Sequence, residues 1–294
     1  MKVWTQALVL ALTAAQSVGA PAGAEPRQPE LLARSGKWVL NVDTDSCQLI
    51  AQFGEGTDTV IAKFTRFEPA EQFDLALLGT RMRASKPYGE ARLDFGLKGE
   101  PVEVSGMNGS LGGWEASFFR NVRLDGWRSQ KEGEVSPRIT PQQEAAVTGL
   151  TVAIKGRPPF RLDFGSLDKP FAQLRGCAVN LLHHWGYDYQ VQSRLLRPAA
   201  PISSPRDWLR NDDYPGSAMV TGDSGFVRFR LDVDAEGKVT GCHILDRTSV
   251  KAFADVACDV IAKRARMQAA LDEKGVPVRS FWIMSARFEL PQPQ

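Results

Sequence analysis

The sequence predicts an α+β protein in which a mainly β N-terminal domain with one long helix precedes a small domain of order strand, strand, helix, strand. Three observations lead to this prediction. Towards the C-terminus, apolar residues alternate with polar ones, then recur at helical spacing, then alternate again. Upstream, glycines and prolines separate short apolar segments, which is typical of antiparallel β structure. A proline-rich stretch lies between the two regions.

The first residues have the composition of a secretory signal peptide. Lys2 precedes an apolar run over residues 7–15, and small residues follow it. The run is well short of the roughly 20 residues that a spanning helix needs, which disfavours the alternative of an uncleaved membrane anchor. We therefore expect a signal peptide over residues 1–24, a mature protein that begins near Pro21 or Glu25, no membrane span, and a periplasmic location.

Residues 36–190 are predicted to form the β-rich N-terminal domain, which resembles no family that we recognise. Thr140 followed by Pro141 has the arrangement of a helix cap and first turn. Apolar residues on one side of segment 168–184 predict the long helix. The next stretch, 191–205, is predicted to be a stiff, extended proline-rich linker. The predicted strands cover residues 37–42, 47–53, 59–64, 73–78, 91–95, 102–105, 114–119 and 148–155.

The C-terminal domain begins with a predicted hairpin. Residues 226–233 alternate as a strand with one buried face, 234–237 have turn composition, and 238–245 return as the second strand. A bulge at Gly241 would bring three residues to one face: Val239, Cys242 and Ile244. An amphipathic helix follows over 250–266, with Phe253, Val256, Ala257, Val260 and Ile261 on one side. The last strand alternates through Trp282, Met284, Ala286, Phe288 and Leu290.

Several short motifs occur in a fixed order over about residues 205 to 291. They are Tyr214-Pro215, Gly225 with Val227 and Phe229, Val233-Asp234-x-x-Gly237-x-Val239, Ile244-Leu245, Lys263-Arg264-Ala265-Arg266, Ala269, Gly275-x-Pro277-Val278 and Phe288-x-Leu290. This order and spacing resemble the C-terminal domain of the TonB family of energy transducers, and we assign residues 206–294 to such a domain. Met267-Gln268 departs from the family pattern, which usually has an aromatic residue followed soon by proline.

The resemblance implies recognition of an outer-membrane TonB-dependent receptor or another envelope protein. In that mode, an extended segment of the partner adds to the edge of the sheet, where backbone N–H and C=O groups are unpaired. A transducer also needs a membrane anchor and a long proline-rich spacer, and we recognise neither in this sequence. We therefore expect a non-enzymatic periplasmic binding protein. The alternatives are an exported hydrolase with its site in the N-terminal domain, and a scaffold that binds peptidoglycan.

We place the partner surface on the last strand. Its even-numbered apolar row is predicted to face the helix, which leaves Phe281, Ile283, Ser285 and Arg287 on the opposite face. Two of these are large and apolar, an unusual choice for a face that only meets water. The equally weighted alternative is that this face packs on the N-terminal domain or in a homodimer.

The four cysteines fit an exported protein with two disulfides, for which three pairings are formally possible. Two domains that hold two cysteines each favour Cys47 with Cys177 and Cys242 with Cys258. Charge gives no support for nucleic-acid binding, because Lys plus Arg is 36 and Asp plus Glu is 34, a formal net charge of +2.

Other motifs have simpler structural explanations. Gly222-Asp223-Ser224-Gly225 resembles the start of a chymotrypsin-type nucleophile motif, but the histidine context of that chemistry is missing, so a turn is expected. The adjacent His183 and His184 point about 100° apart on a helix and cannot share a metal; we expect one to be partly buried and one solvated. Asp43-Thr44-Asp45 has calcium-type oxygen ligands but is expected to be a hairpin turn. The sequence thus predicts no catalytic residue, metal or cofactor.

The basic cluster Lys263-Arg264-Ala265-Arg266 lies in the last turn of a predicted helix. Complementarity to the helix dipole explains these charges, and contact with an anionic partner is the alternative.

Overall fold

The computed structural model describes residues 28–97, 101–129, 134, 136–247 and 251–290. The predicted signal peptide over residues 1–24 lies outside the described residues. Strands dominate the first part of the chain and a mixed β-β-α-β unit closes it, so the protein is of the α+β class. Within the described residues, no helix is both long and apolar enough to cross a membrane.

The N-terminal domain is built on one ten-stranded sheet of order β1-β10-β9-β6-β7-β8-β5-β4-β3-β2. Neighbouring strands are antiparallel except for β1 and β10, which are parallel. The strands are β1 (Glu30–Ala33), β2 (Val39–Val42), β3 (Cys47–Phe53), β4 (Val60–Arg66), β5 (Phe73–Leu78), β6 (Tyr88–Asp94), β7 (Val102–Leu111), β8 (Trp114–Val122), β9 (Gly149–Ile154) and β10 (Phe160–Asp163).

The two ends of this sheet meet, because the chain that follows β1 pairs with β3. The Gly54 N–H donates to the Ala33 carbonyl at 2.8 Å, and the Ser35 N–H donates to the Gln52 carbonyl at 2.9 Å. Arg34 and Phe53 form an isolated antiparallel bridge between these bonds. The sheet therefore closes on itself, and β2 pairs with the other part of the same edge of β3.

Aromatic side chains fill the interior of the ring and continue onto the long helix. Phe64 contacts the rings of Phe73, Phe164 and Phe171 at centroid distances of 5.2, 5.8 and 5.6 Å. Edge-on ring contacts of this kind add to the free energy gained from burying apolar area. The helices of this domain are α1 (Pro141–Ala146), α2 (Asp168–His184) and α3 (Tyr189–Gln192).

Local sequence explains where the first two helices lie. Thr140 caps α1 through a capping box, in which its hydroxyl accepts the Gln143 N–H at 3.2 Å and the Gln143 side chain accepts the Thr140 N–H at 2.8 Å. The apolar side of α2 is buried in the ring core, as its spacing predicts. A disulfide joins Cys177 of α2 to Cys47 of β3, in the pairing expected from the sequence.

The proline-rich stretch between the domains lies along the C-terminal domain. Ala200–Pro201, β11, pairs with Met267–Gln268, β14, and Arg197 bridges to Leu271. The Ile202 N–H donates to the Arg266 carbonyl at 2.8 Å. The part of the predicted linker around Ala200–Pro201 is extended and is bonded to the domain that follows it. Residues 191 and 192 belong to α3, so the stretch 191–205 is not extended throughout.

The C-terminal domain has a three-stranded antiparallel sheet of order β13-β12-β17, so β12 is the central strand. Helix α5 packs on one face of this sheet. A disulfide joins Cys242 of β13 to Cys258 of α5, again as expected. The elements are α4 (Gly216–Thr221), β12 (Gly225–Val233), β13 (Val239–Arg247), α5 (Lys251–Arg264), β15 (Ala270–Leu271), β16 (Pro277–Val278) and β17 (Ser280–Phe288).

The predicted bulge at Gly241 is present. Val233 pairs with Val239, whereas Asp232 pairs with Gly241, so Thr240 is the extra residue on β13. The shift places Val239, Cys242 and Ile244 in the core beneath α5. The prediction that β12 has one buried face was wrong, because residues on both of its faces are buried.

Candidate functional site: the edge strand β17 and the domain junction

The three-stranded sheet is covered on both faces. Val227, Phe229 and Leu231 of β12 point to α5, together with the even-numbered residues of β17. Arg228, Arg230 and Asp232 point the other way, and they are buried although they are charged. The surface that covers them belongs to the N-terminal domain.

At one end of the junction, Asp74 of β5 accepts hydrogen bonds from three groups. They are Arg120 Nη1 at 3.0 Å, the Asn121 N–H at 3.1 Å and Arg228 Nη2 at 3.0 Å. Asn121 has a φ of 52°, a left-handed conformation that asparagine tolerates, and its Oδ1 also accepts from Arg228 at 3.3 Å. Arg228 stacks on Phe67, 4.7 Å from the ring centroid. Burial lowers the pKa of Arg120 even though Asp74 pairs with it.

At the other end, Asp232 is the acceptor at the centre of a second cluster. It accepts from the Tyr187 hydroxyl at 2.8 Å and from Arg230 Nε at 2.9 Å, and His243 Nε2 lies 2.9 Å away. Burial opposes its ionisation, but these hydrogen bonds and the Arg230 charge outweigh burial and hold the pKa of Asp232 below its usual value. Burial and the Asp232 carboxylate raise the pKa of Tyr187. Both clusters bind one domain to the other.

The side chains predicted to meet a partner face the N-terminal domain instead. Phe281 packs on the rings of Trp185 and Tyr187 at centroid distances of 5.8 and 5.1 Å. Ile283 packs against the core of the closed ring. Arg287 lies over Tyr88, 4.2 Å from the ring centroid, and forms an ion pair with Glu289 at 2.7 Å.

The fourth predicted residue, Ser285, faces the same way, and its buried hydroxyl has no hydrogen-bond partner within the described residues. The structure therefore realises the alternative in which this face packs on the N-terminal domain. The side chains of Ile283 and Arg287 are engaged there, and only the backbone edge of β17 remains for a partner strand.

Hydrogen-bond geometry shows which backbone groups that edge offers. The Asp234 N–H donates across the hairpin to the Lys238 carbonyl at 3.0 Å. Backbone groups of successive strand residues point to opposite sides, so Val233, Leu231 and Phe229 direct theirs to β17. Their partners on β17 are the even-numbered residues. The odd-numbered residues 281–287 therefore direct their N–H and C=O groups outward, and no backbone bond to these groups occurs within the described residues.

Two cavities lie on either side of the Asp74–Arg228 pair. One, of about 480 Å³, lies beside β17 and is lined by Ile283, Met284 and Ser285 and by the loop after β4. The other, of about 450 Å³, lies beside β13 and has Phe118, Lys63 and Asp246 in its walls. Only the first adjoins the open edge of β17.

The nucleophile-like motif forms a turn. Gly222, with a φ of 73°, ends α4 in the left-handed conformation, and Gly225 begins β12. The Asp223 carboxylate accepts from the Thr221 hydroxyl at 2.5 Å. This bond joins the last residue of α4 to the turn that leads into β12.

The remaining sequence motifs also have structural partners. His183 and His184 are both exposed at the end of α2, which corrects the expectation that one is partly buried. The Asp43–Ser46 turn closes β2 on β3, and Asp45 accepts from the Trp185 indole at 2.9 Å. Within the described residues, no group of three or more His, Cys, Asp or Glu side chains could hold a metal ion.

The basic cluster at the end of α5 is used inside the domain. Arg264 pairs with Asp213, with Nη–Oδ distances of 2.5 and 3.0 Å, and also donates to the Trp208 carbonyl at 3.0 Å. Arg266 donates to the Lys263 and Ala265 carbonyls at 2.9 Å. These two arginines therefore stabilise the end of α5.

Sequence reasoning missed the junction residues Asp74, Arg120, Tyr187, Arg228 and Asp232. One signal was present. Arg228, Arg230 and Asp232 form a charged row on a strand that the hairpin and the last strand place at the centre of the sheet. Such a charged row needs hydrogen-bond and ion-pair partners, and the N-terminal domain supplies them through Asp74 and Tyr187.

Comparison with known families agrees with the fold of the C-terminal part. Residues 210–290 match the family described as Gram-negative bacterial TonB protein C-terminal, which confirms the resemblance seen in the sequence. No curated protein matches the chain. No solved structure matches it either. The matched segment is similar to a TonB C-terminal domain, and the match does not extend into the N-terminal domain.

Proposed function

We propose that this protein is a non-enzymatic periplasmic binding protein that takes up an extended segment of an outer-membrane TonB-dependent receptor, or of another envelope protein, at the edge of β17. The observation that carries the proposal is the row of outward backbone groups on the odd-numbered residues 281–287, in a domain that matches the TonB family. An incoming strand satisfies such groups by continuing the ladder.

The position of β17 supports this reading over a role for β13. Both are edge strands of the three-stranded sheet. The pairing of β13 with β12 is interrupted by two bulges, one opposite Arg228 and Phe229 and one opposite Asp232 and Val233. The pairing of β17 with β12 has no such interruption. A regular edge offers evenly repeated donors and acceptors, and bulges discourage strand addition.

The envelope location is supported by two disulfides, which persist in oxidising compartments. The matched TonB-like domain supports the same location. The charged groups of the junction, in the Asp74 and Asp232 clusters, join the two domains. This structural use of the charged groups supports a binding role.

Site-specific photo-crosslinking tests the proposal. A photoreactive residue at exposed position 289, just beyond β17, should crosslink an envelope protein in cells, and mass spectrometry would identify it. Ser285→Pro removes an N–H that points outward and should abolish the crosslink, because the intradomain ladder does not use that group. Ser285→Ala keeps the N–H and removes a hydroxyl without a bond, so it serves as the matched control. A Ser285→Pro variant that stays folded and captures the same protein would contradict the proposal.

A further inference from the structure

We infer that the N-terminal domain forms the second wall of the β17 groove, and that Glu68 selects a partner strand carrying a basic side chain opposite Ser285. This rests on the proposed addition of a strand to β17. It assigns a recognition role to the domain that lies outside the TonB-like match.

The register of an added strand determines which face of the sheet each of its side chains projects to. A partner residue directly opposite Ser285 projects its side chain to the same face of the sheet as Ser285. That face looks towards the N-terminal domain, and the cavity of about 480 Å³ begins there. Alternate partner residues project to the α5 side, beside Met284. The partner side chain opposite Ser285 therefore lies at this cavity.

The wall that faces β17 across the cavity comes from the loop between β4 and β5. Phe67, Glu68, Ala70 and Gln72 line it. This loop belongs to the N-terminal domain, and residues 283–285 of β17 form the opposite wall. The volume lies within the range of roughly 300–1,000 Å³ typical of ligand sites, so a long side chain fits.

Glu68 is the chemically distinctive group in this wall. Asp74, the other carboxylate lining the cavity, already pairs with Arg120 and Arg228. Glu68 makes no side-chain hydrogen bond or ion pair within the described residues; only the charge of Arg228 acts on it. Burial raises the pKa of Glu68, and Arg228 offsets this effect only in part. A basic partner side chain would form a charge-assisted hydrogen bond with the Glu68 carboxylate.

Capped peptides as long as β17, nine residues, test the inference. Valine alternates with threonine, and the central threonine is replaced by lysine, glutamine or glutamate. The intact protein should bind the lysine peptide about tenfold more tightly than the glutamate peptide, a ratio expected for one charge-assisted contact. Isothermal titration calorimetry measures the affinities.

Three variants separate the possible results. Glu68→Gln should remove the preference for lysine and leave the glutamine peptide unaffected. Glu55→Gln, which changes an exposed carboxylate elsewhere on the N-terminal domain, should keep the preference. Ser285→Pro should abolish binding of all three peptides.

The outcomes distinguish failure of the Glu68 role from failure of strand addition. Equal binding of all three peptides by the intact protein would overturn the role of Glu68 and leave strand addition standing. Binding that survives Ser285→Pro would overturn strand addition at β17 itself, and failure of every peptide to bind counts against both. Sedimentation that shows a dimer lost in Ser285→Pro would identify a second copy as the occupant, and would overturn the inference of a basic partner strand.

Discussion

Tyr187 shows how one residue connects the domains. Its hydroxyl donates to Asp232 at 2.8 Å, and the Ser280 carbonyl oxygen lies 3.0 Å away. Tyr187→Phe leaves the Asp232 carboxylate with one donor fewer in a buried site, so the free energy of unfolding should fall by about 1–3 kcal/mol. Denaturant unfolding monitored by fluorescence measures the change. Tyr189→Phe is the control, since no hydrogen bond of its hydroxyl is found in the described part of the chain, and a similar loss there would contradict the assignment.

Glu68 gives a second residue-scale prediction, through pH. Its pKa in the folded protein is raised by burial, so above the ordinary glutamate value this carboxyl destabilises the fold relative to the unfolded chain. At a pH well below the ordinary glutamate value of 4.5, the carboxyl is protonated in both states and the cost disappears. Glu68→Gln should therefore raise the melting temperature at pH 7 and leave it nearly unchanged at pH 3.5. An equal increase at both pH values would show that packing, not charge, is responsible.

The residues that sequence could and could not predict differ in the range of their contacts. The role of Thr140 as a helix cap could be predicted from the sequence, because its partner Gln143 is only three positions away. The Asp74–Arg228 pair joins residues 154 positions apart, and nothing in the local pattern around Asp74 specifies that partner. The disulfide partners could be predicted despite their separation along the chain, because the sequence has only four cysteines and two fall in each domain.

At the scale of elements, the Cys242–Cys258 disulfide ties α5 to an edge strand. Its cysteines are 16 positions apart, and loop closure of that length in the unfolded chain stabilises the fold by about 3 kcal/mol. Replacing both cysteines by alanine should lower the free energy of unfolding by about that amount. Chemical denaturation of the oxidised parent and the double variant measures it. A difference below about 1 kcal/mol would mean that packing of α5 on β12 already holds the hairpin.

Periodicity located most elements well, and the exceptions have physical causes. The predicted limits of β5 and α2, and the end of β12, coincide with those of the structure. The short strands β1 and β10 were missed, because each has four residues, too few to show a period. Both faces of β12 are buried, yet one face carries charges. The alternation of apolar and polar residues therefore identified the strand correctly, but it wrongly predicted that the charged face is exposed to solvent.

At the scale of the whole molecule, the junction makes the two domains mechanically dependent. Phe281 and Ile283 belong to the C-terminal domain but pack against the core of the N-terminal one. Burial of Arg228 and Arg230 is favourable only while Asp74 and Tyr187 remain in place to satisfy the polar groups around them. The groove proposed for a partner strand has one wall from each domain, so its width depends on this junction.

Calorimetry can test that dependence. The intact oxidised protein should unfold in one transition, because opening the junction exposes charged and apolar groups of both domains together. Phe281→Ala removes the ring that packs on Trp185 and Tyr187 and should cost about 2–4 kcal/mol. With the contact weakened, the transition should split into two, one for each domain. Ile261→Val lies in the core between α5 and the sheet, away from the junction, and should lower the melting temperature without splitting the transition. A parent protein that already shows two transitions would mean that the domains unfold independently, and the groove between them would then lack a fixed width.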